Sequence, residues 1–368
     1  MHNKIPLSES IISIDLKTTF SSIDIGVVAE FEKSLEAYYE GKKSVLALNS
    51  GTSAIHLALI LSGVAEGDEV LCQSLTYVAT INPIIYQNAT PVFIDSENDT
   101  WNMCPIQLER AIKDRILKGK KPKAIIFVHL YGMPAKIEEI VRISRKYNIP
   151  LIEDAAEALG ATYKGRKCGS FGDFAILSFN NNKIVSTLGG GALICNTAKE
   201  KEKAFFYATQ AKEKESHYEH TKIGYNYRMN SLGALIGITQ LKELKNYIRK
   251  RRTINDFYKA YFINFKEIYF LKEPSSDFVS NHWLSCILIK VKDVETKKLK
   301  LLTFLKNNHI EARFLWKPMH LQPVFKDFPF YGAEVAENLF LHGLCLPSGS
   351  TLNKNDLIRI SECIKKFL

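Results

Sequence analysis

The feature that most constrains this chain is an alternation that begins near Ser44 and repeats up to Asp154: a short apolar run, a polar turn, then a stretch of helical period. Residues 45–48 read as a strand ending in Asn49-Ser50-Gly51-Thr52, and 53–61 as a helix that Gly63 can end. Residues 69–72 are the next strand, 77–86 a helix, 91–94 a strand closed by Asp95, and 123–130 a buried strand. The following helix sets Ile137, Ile140, Val141 and Ser144 at core spacing, with Glu138, Glu139, Arg142 and Arg145 outside. Residues 151–152 then run into Glu153-Asp154. Such alternation predicts an α/β fold, a largely parallel sheet with helices on both faces. After about Leu241 the texture changes to a basic helix, a strand-like segment at 283–291, a helix around 299–307, an aromatic loop at 314–320 and a terminal helix from Leu357. This reads as a smaller α+β domain. The expected division is 1–240, N-terminal segment included, and 241–368, in keeping with the 368-residue length.

Charge and cysteine content narrow the function classes. The net charge is +10, but the basic residues are scattered. The densest cluster, 242–252, is interleaved with Leu241, Leu244, Tyr247 and Ile248 at spacings of one buried helical stripe, which predicts a solvated basic face rather than a nucleic-acid surface. The seven cysteines are odd in number and form no C-x-x-C pair, which argues against a disulfide framework and a structural zinc site. Free thiols, no apolar leader in residues 1–10 and no run long enough to span a membrane predict a cytoplasmic protein without a metal.

Ligands of open α/β sheets bind at the carboxyl ends of the strands, and four polar clusters fall at such ends. Asn49-Ser50-Gly51-Thr52 opens a helix, as a phosphate site or as an ordinary N-cap. Asp154 follows a buried strand and must be paired or bonded to stay charged, as a metal ligand, a cap or a cation partner. Lys183 sits on a polar turn after a buried strand at 174–179, followed by Gly189-Gly190-Gly191, which would let backbone approach a ligand closely. Gly224-Tyr225-Asn226-Tyr227-Arg228 could be an interface, an anion clamp or a helix-entry loop.

Together these stretches resemble the fold-type I pyridoxal-phosphate enzymes, and more closely the nucleotide-sugar aminotransferases of the DegT family. The resemblance runs from about Phe31 to the C-terminus. It rests on Asn49-Ser-Gly-Thr-Ser-Ala-Ile-His-Leu-Ala-Leu59, Glu153-Asp-Ala-Ala-Glu-Ala-Leu-Gly160, Gly169-Ser-Phe-Gly-Asp173, residues 178–183 with their glycines, and Gly224-Tyr-Asn-Tyr-Arg-Met229. The Gly-x-Glu stretch usual near the start is not evident in residues 1–30. The resemblance implies a pyridoxal 5'-phosphate aminotransferase. Lys183 would hold the cofactor as a Schiff base and shuttle a proton, and Asp154 would pair with the ring nitrogen. Gly51, Thr52 and Ser178 would bind the phosphate, and Tyr77 would cover the ring. Glu157, where many relatives have Gln, would lie near the cofactor hydroxyl. Asn226 would reach the phosphate of the neighbouring subunit, giving a homodimer with shared active sites. A lysine at 183 favours amino transfer over the dehydration run by the histidine branch, and a regulatory member would not need the full set.

Residues 311–320, Gln210-Ala211, 217–220 and Cys345-Leu-Pro-Ser-Gly349 look most like the branch that aminates UDP-4-keto-6-deoxy-N-acetylglucosamine, with L-glutamate as donor. GDP- and dTDP-linked keto sugars are the alternatives. Arg313, Trp316 and His320 are the expected substrate contacts, and Trp316 and Met319 can equally be core of the smaller domain.

Overall fold

A computed structural model describes residues 4–9 and 26–367. Its centre is an eight-stranded sheet in the order Ser44–Leu48, Gly191–Cys195, Phe174–Ser178, Leu151–Asp154, Ala124–Val128, Glu69–Gln73, Thr90–Ile94, Phe330–Tyr331. Gly191–Cys195 is antiparallel to both neighbours, and the other pairings are parallel. Successive side chains of a strand point to opposite faces. Val45 and Ala47 accordingly lie in the core on the face covered by helices Val27–Tyr38, Pro105–Leu117 and Ile137–Tyr147, while Leu46 and Leu48 lie on the face covered by Gly51–Leu61. Burial on both faces is why these strands read as continuous apolar runs. The helix Gly51–Leu61 is apolar nearly all round, and Ser53 to Leu59 are all buried.

A second, antiparallel sheet joins Ile268–Phe270, Ser285–Ile289, Gly343–Leu346 and Arg313–Phe314. Its core includes residues of helices Leu244–Tyr261, Val294–Asn307 and Lys354–Phe367. The expected division between residues 240 and 241 lies in the last turn of helix Ser231–Lys242, just before helix Leu244–Tyr261. Two segments depart from it. Residues 4–9, read with the first part, run along the second: Ile5 bridges Ile310 and is buried in that core. Phe330–Tyr331, read with the second part, extends the large sheet beside Thr90–Ile94. Residues 1–3, 10–25 and 368 of that division lie outside the described residues.

Three local expectations change. The helix over 77–86 is a short 3-10 turn, Val78–Thr80, followed by Asn82–Tyr86, because Pro83 lacks an N–H and begins a new helix. The strand over 123–130 stops at Val128, where Leu130–Gly132 turns tightly around Tyr131 at φ 56°. The basic face around 242–252 is not wholly solvated, because Arg251 is fully buried. The stripe Leu244, Tyr247, Arg251, Ile254, Tyr258 advances three or four residues at a time, and position 251 falls on it.

Candidate active site

Parallel strands bring their carboxyl ends to one edge of the sheet, and a cavity of about 880 Å³ opens there. The first wall is the turn after Ser44–Leu48. The Ser50 hydroxyl accepts the Ser53 N–H at 3.0 Å and the Ser50 carbonyl accepts the Ala54 N–H, so Gly51 and Thr52 keep the first N–H groups of the helix, without intrahelical partners. A Cβ on Gly51 would stand 3.3 Å from that of Ser178, so the two turns are in contact. The glycine run has a different role from the expected one at its last member. A Cβ on Gly191 would lie 2.4 Å from the Gly51 nitrogen, so Gly191 lets the strand pass the helix start rather than a ligand. Gly189 and Gly190 line the cavity.

Three buried carboxylates lie at or behind the opposite wall: Asp154 and Glu157 line the cavity, and Glu153 lies behind it. Glu153 and Asp154 are consecutive on one strand and therefore face opposite ways. Glu153 accepts His129 Nε2–H at 2.9 Å and the N–H groups of Gly169, Phe171 and Gly172 at 2.5, 2.7 and 3.0 Å. Burial alone would raise its pKa, but these bonds hold it below the ordinary carboxylate range. The Gly169–Asp173 stretch, known in the sequence only through the resemblance, thus has a physical reason: its amides wrap this carboxylate. His129 Nδ1 accepts Ala135 N–H at 3.0 Å, which leaves the proton on Nε2. His129 and Glu153 thus form a buried hydrogen-bonded pair, and the Cys168 thiol lies within 4.8 Å of it.

Asp154 faces the cavity. Its Oδ2 accepts the Thr80 hydroxyl at 2.8 Å and its Oδ1 accepts the Ala156 N–H at 3.1 Å. Among the described residues no cation lies within ion-pair distance of it, and burial pushes its pKa up, against the pull of those bonds and of the Lys183 charge. Glu157 is raised for the same first reason, burial, which the charge of Lys183 partly offsets. One of its oxygens lies 3.4 Å from Lys183 Nζ and the other accepts the Tyr131 N–H at 2.7 Å. Lys183 Nζ also lies 4.0 Å from the centre of the Trp283 ring.

The structure brings most of the expected residues together. Gly51, Thr52, Tyr77, Asp154, Glu157, Ser178, Lys183, Arg313 and Trp316 all line this cavity. Tyr77 and Trp316 contact each other there, ring centroids 5.4 Å apart. His320 is not part of the lining: its Nδ1 lies 2.6 Å from Ser74 Oγ, its Nε2 3.1 Å from Glu337, and its ring stacks on Phe330. Those contacts occupy both nitrogens and a face, so His320 pins its loop instead of meeting a ligand. Asn226 is exposed and outside the lining too, its carbonyl accepting Asn49 Nδ2–H at 3.1 Å. Met319 is buried in the large core. Sequence reading missed Pro6, Leu7, Ser8 and Glu9, which line the same cavity, and Trp283 beneath the lysine. The spacing in sequence, more than 170 residues from Ser8 to Asn182, gave no signal.

The profile of the DegT/DnrJ/EryC1/StrS aminotransferase family matches residues 22–365. The chain belongs to this family. It is 47% identical over 342 residues (92% of this chain, 87% of the relative) to the Bacillus subtilis protein described as "Putative pyridoxal phosphate-dependent aminotransferase EpsN". It is 35% identical to the GDP-perosamine synthase of Escherichia coli O157:H7 (96% and 93% covered), and 32% identical to the UDP-4-amino-4,6-dideoxy-N-acetyl-beta-L-altrosamine transaminase of Campylobacter jejuni (92% and 91%). The structure of Helicobacter pylori PseC, an aminotransferase involved in the biosynthesis of pseudoaminic acid, superimposes with a TM-score of 0.90 at 25% identity, covering 99% of each chain. As a member of the DegT/DnrJ/EryC1/StrS family this chain is a pyridoxal phosphate-dependent sugar aminotransferase, with the fold-type I architecture expected from its sequence. Among the described residues no helix is long and apolar enough to cross a membrane.

Proposed function

We propose that this enzyme transfers the amino group of L-glutamate to C4 of UDP-4-keto-6-deoxy-N-acetylglucosamine, with Lys183 and Asp154 as its catalytic residues. The observation that carries the reading is the buried Asp154, without an ion-pair partner among the described residues, on a cavity that Lys183 and a helix N-terminus share. A carboxylate so placed fits a protonated ring nitrogen, and the Gly51, Thr52 and Ser178 wall fits a phosphate. When bound, pyridoxal phosphate supplies the electron sink for the reaction. Lys183 would hold it covalently through Nζ and afterwards carry the proton to and from Cα of the donor. Asp154 would keep the ring nitrogen protonated, Glu157 would meet the cofactor hydroxyl beside Lys183, and Tyr77 would cover the ring.

Arg313 lies on the cavity rim, half-exposed and paired with Glu311 at 2.7 Å, where a diphosphate can displace the carboxylate. Trp316 offers a flat face next to it. Asn226, on the surface beside Asn49, is assigned to the phosphate of a second subunit, which makes a homodimer the working form. The seven unpaired cysteines fit a reducing compartment such as the cytoplasm. A GDP-linked 4-keto-6-deoxy sugar is the second reading, favoured by the GDP-perosamine synthase relative. Two measurements test the proposal. Borohydride reduction of the yellow enzyme should place the label on Lys183, and label on Lys164 or Lys167 would refute the assignment. Glutamate-dependent amination of UDP-, dTDP- and GDP-4-keto sugars should favour the UDP substrate, and a larger kcat/KM with GDP would replace it by the second reading.

A further inference from the structure

We infer that Trp283 is a positioning residue for Lys183 and that Arg251 is the anchor that fixes Trp283. The inference rests on the reading of Lys183 given above. Trp283 is 2% exposed, and its ring face lies under Lys183 Nζ. Its indole N–H donates to the carbonyl of Asn182 at 2.8 Å, and the Ser8 hydroxyl donates to that same carbonyl at 2.8 Å. The peptide that enters Lys183 is therefore clamped from two sides. Arg251 ties the clamp together: Nη1 donates to the carbonyls of Trp283 and Ser348 at 2.6 and 3.0 Å, and Nη2 to Ser8 Oγ at 3.2 Å.

This guanidinium is fully buried among neutral acceptors, and desolvation lowers its pKa to about 10. Among the described residues it has no counter-charge, and a buried cation of that kind is destabilising in itself. An apolar side chain of the same length would fill the space, but could not hold the 283 loop, residue 348 and the N-terminal segment at once. The rest position of the lysine is thus set by the second sheet's surroundings and by residues 4–9, and not only by its own turn. A π face suits the task. It attracts an ammonium without taking up its protons in directed bonds, and Glu157 Oε1 lies 3.4 Å from the same Nζ.

Fluorinated tryptophans introduced at position 283 keep the shape and the N–H while weakening the attraction of the ring for a cation. In the cofactor-stripped full-length chain, the rate at which trinitrobenzenesulfonate labels Lys183, read by peptide mapping, should rise with each fluorine, by roughly tenfold over the series. A flat rate would overturn the ring contact. Trp283→Phe keeps a ring and removes the N–H. Its single-turnover reaction with glutamate should slow roughly tenfold with the KM for glutamate unchanged, and an unchanged rate would overturn the positioning role. Borohydride mapping separates the two levels. A wild-type protein without label on Lys183 fails the reading of the lysine itself, whereas label on Lys183 with a flat fluorine series fails Trp283 alone.

Discussion

Asp154→Asn separates the chemistry of this site from its architecture, because the two effects have different signs. The amide fits the existing bonds. Its oxygen can accept the Ala156 N–H, and its NH2 can donate to Thr80 Oγ1, which lies 2.9 Å from Thr76 Oγ1 and can turn its own proton there. The second amide N–H and the Thr76 hydroxyl proton displaced by this turn both belong to cavity-lining residues, where water can accept them, so the fold should lose less than about 1 kcal/mol. Burial also raises the Asp154 pKa, so in the cofactor-free protein the ionised form is penalised. That penalty sets in as pH rises through the unfolded carboxylate range near 4 and is complete above the folded pKa. The variant does not titrate, and its stability relative to wild type should therefore improve with rising pH. Function should move the other way. A charge-assisted bond to the cofactor nitrogen contributes about 1.5–3 kcal/mol, so its loss should slow the glutamate half-reaction roughly 10–150-fold. The assays are denaturant unfolding of stripped protein at several pH values and stopped-flow absorbance at saturating cofactor. Near-normal turnover, or a stability loss above about 2 kcal/mol with no pH trend, would refute the reasoning.

Glu153→Gln should destabilise by about 2–6 kcal/mol, since the amide nitrogen would confront donors that now share two carboxylate oxygens. Because the Glu153 pKa is lowered in the fold, the wild-type advantage should be full above the unfolded value of 4.5 and fade as pH falls from there through the folded value, which unfolding at graded pH measures. Gly191→Ala drives a Cβ into the backbone at Ser50 and Gly51, and should cost about 1–3 kcal/mol together with at least about tenfold in cofactor affinity by absorbance titration. Arg313→Ala should raise the KM for the nucleotide sugar and spare the glutamate half-reaction, and equal losses in both would make it structural. Lys183→Ala and Asn226→Asp homodimers should each be inactive, yet exchange into heterodimers should restore up to half of wild-type activity; verified exchange without recovery would refute the shared site.

Residues 44–154 determine much of the fold by themselves, because a strand buried on both faces must be apolar throughout and its polar residues collect at the ends. Ser50, Asp154 and Lys183 were legible for that reason: each is a polar break after an apolar run, and parallel strands bring such breaks to one edge. The choice of Asp154 over Glu153 came from the family resemblance and not from the local pattern, which is acidic at both positions; the orientation of the strand in the sheet turns Asp154 to the cavity. Long-range contacts were beyond reach for a more general reason. Arg251 reads as one more solvated base until helix Leu244–Tyr261 turns it inward toward Trp283, Ser348 and Ser8. His320 likewise reads as a ligand contact until Ser74, Glu337 and Phe330 close around it. A side chain's chemistry is written in its own residue type, but whether that chemistry faces water, a neighbour or a cavity is decided by segments far away in the chain. Periodicity carries no information about those partners, and only the packed tertiary structure supplies them.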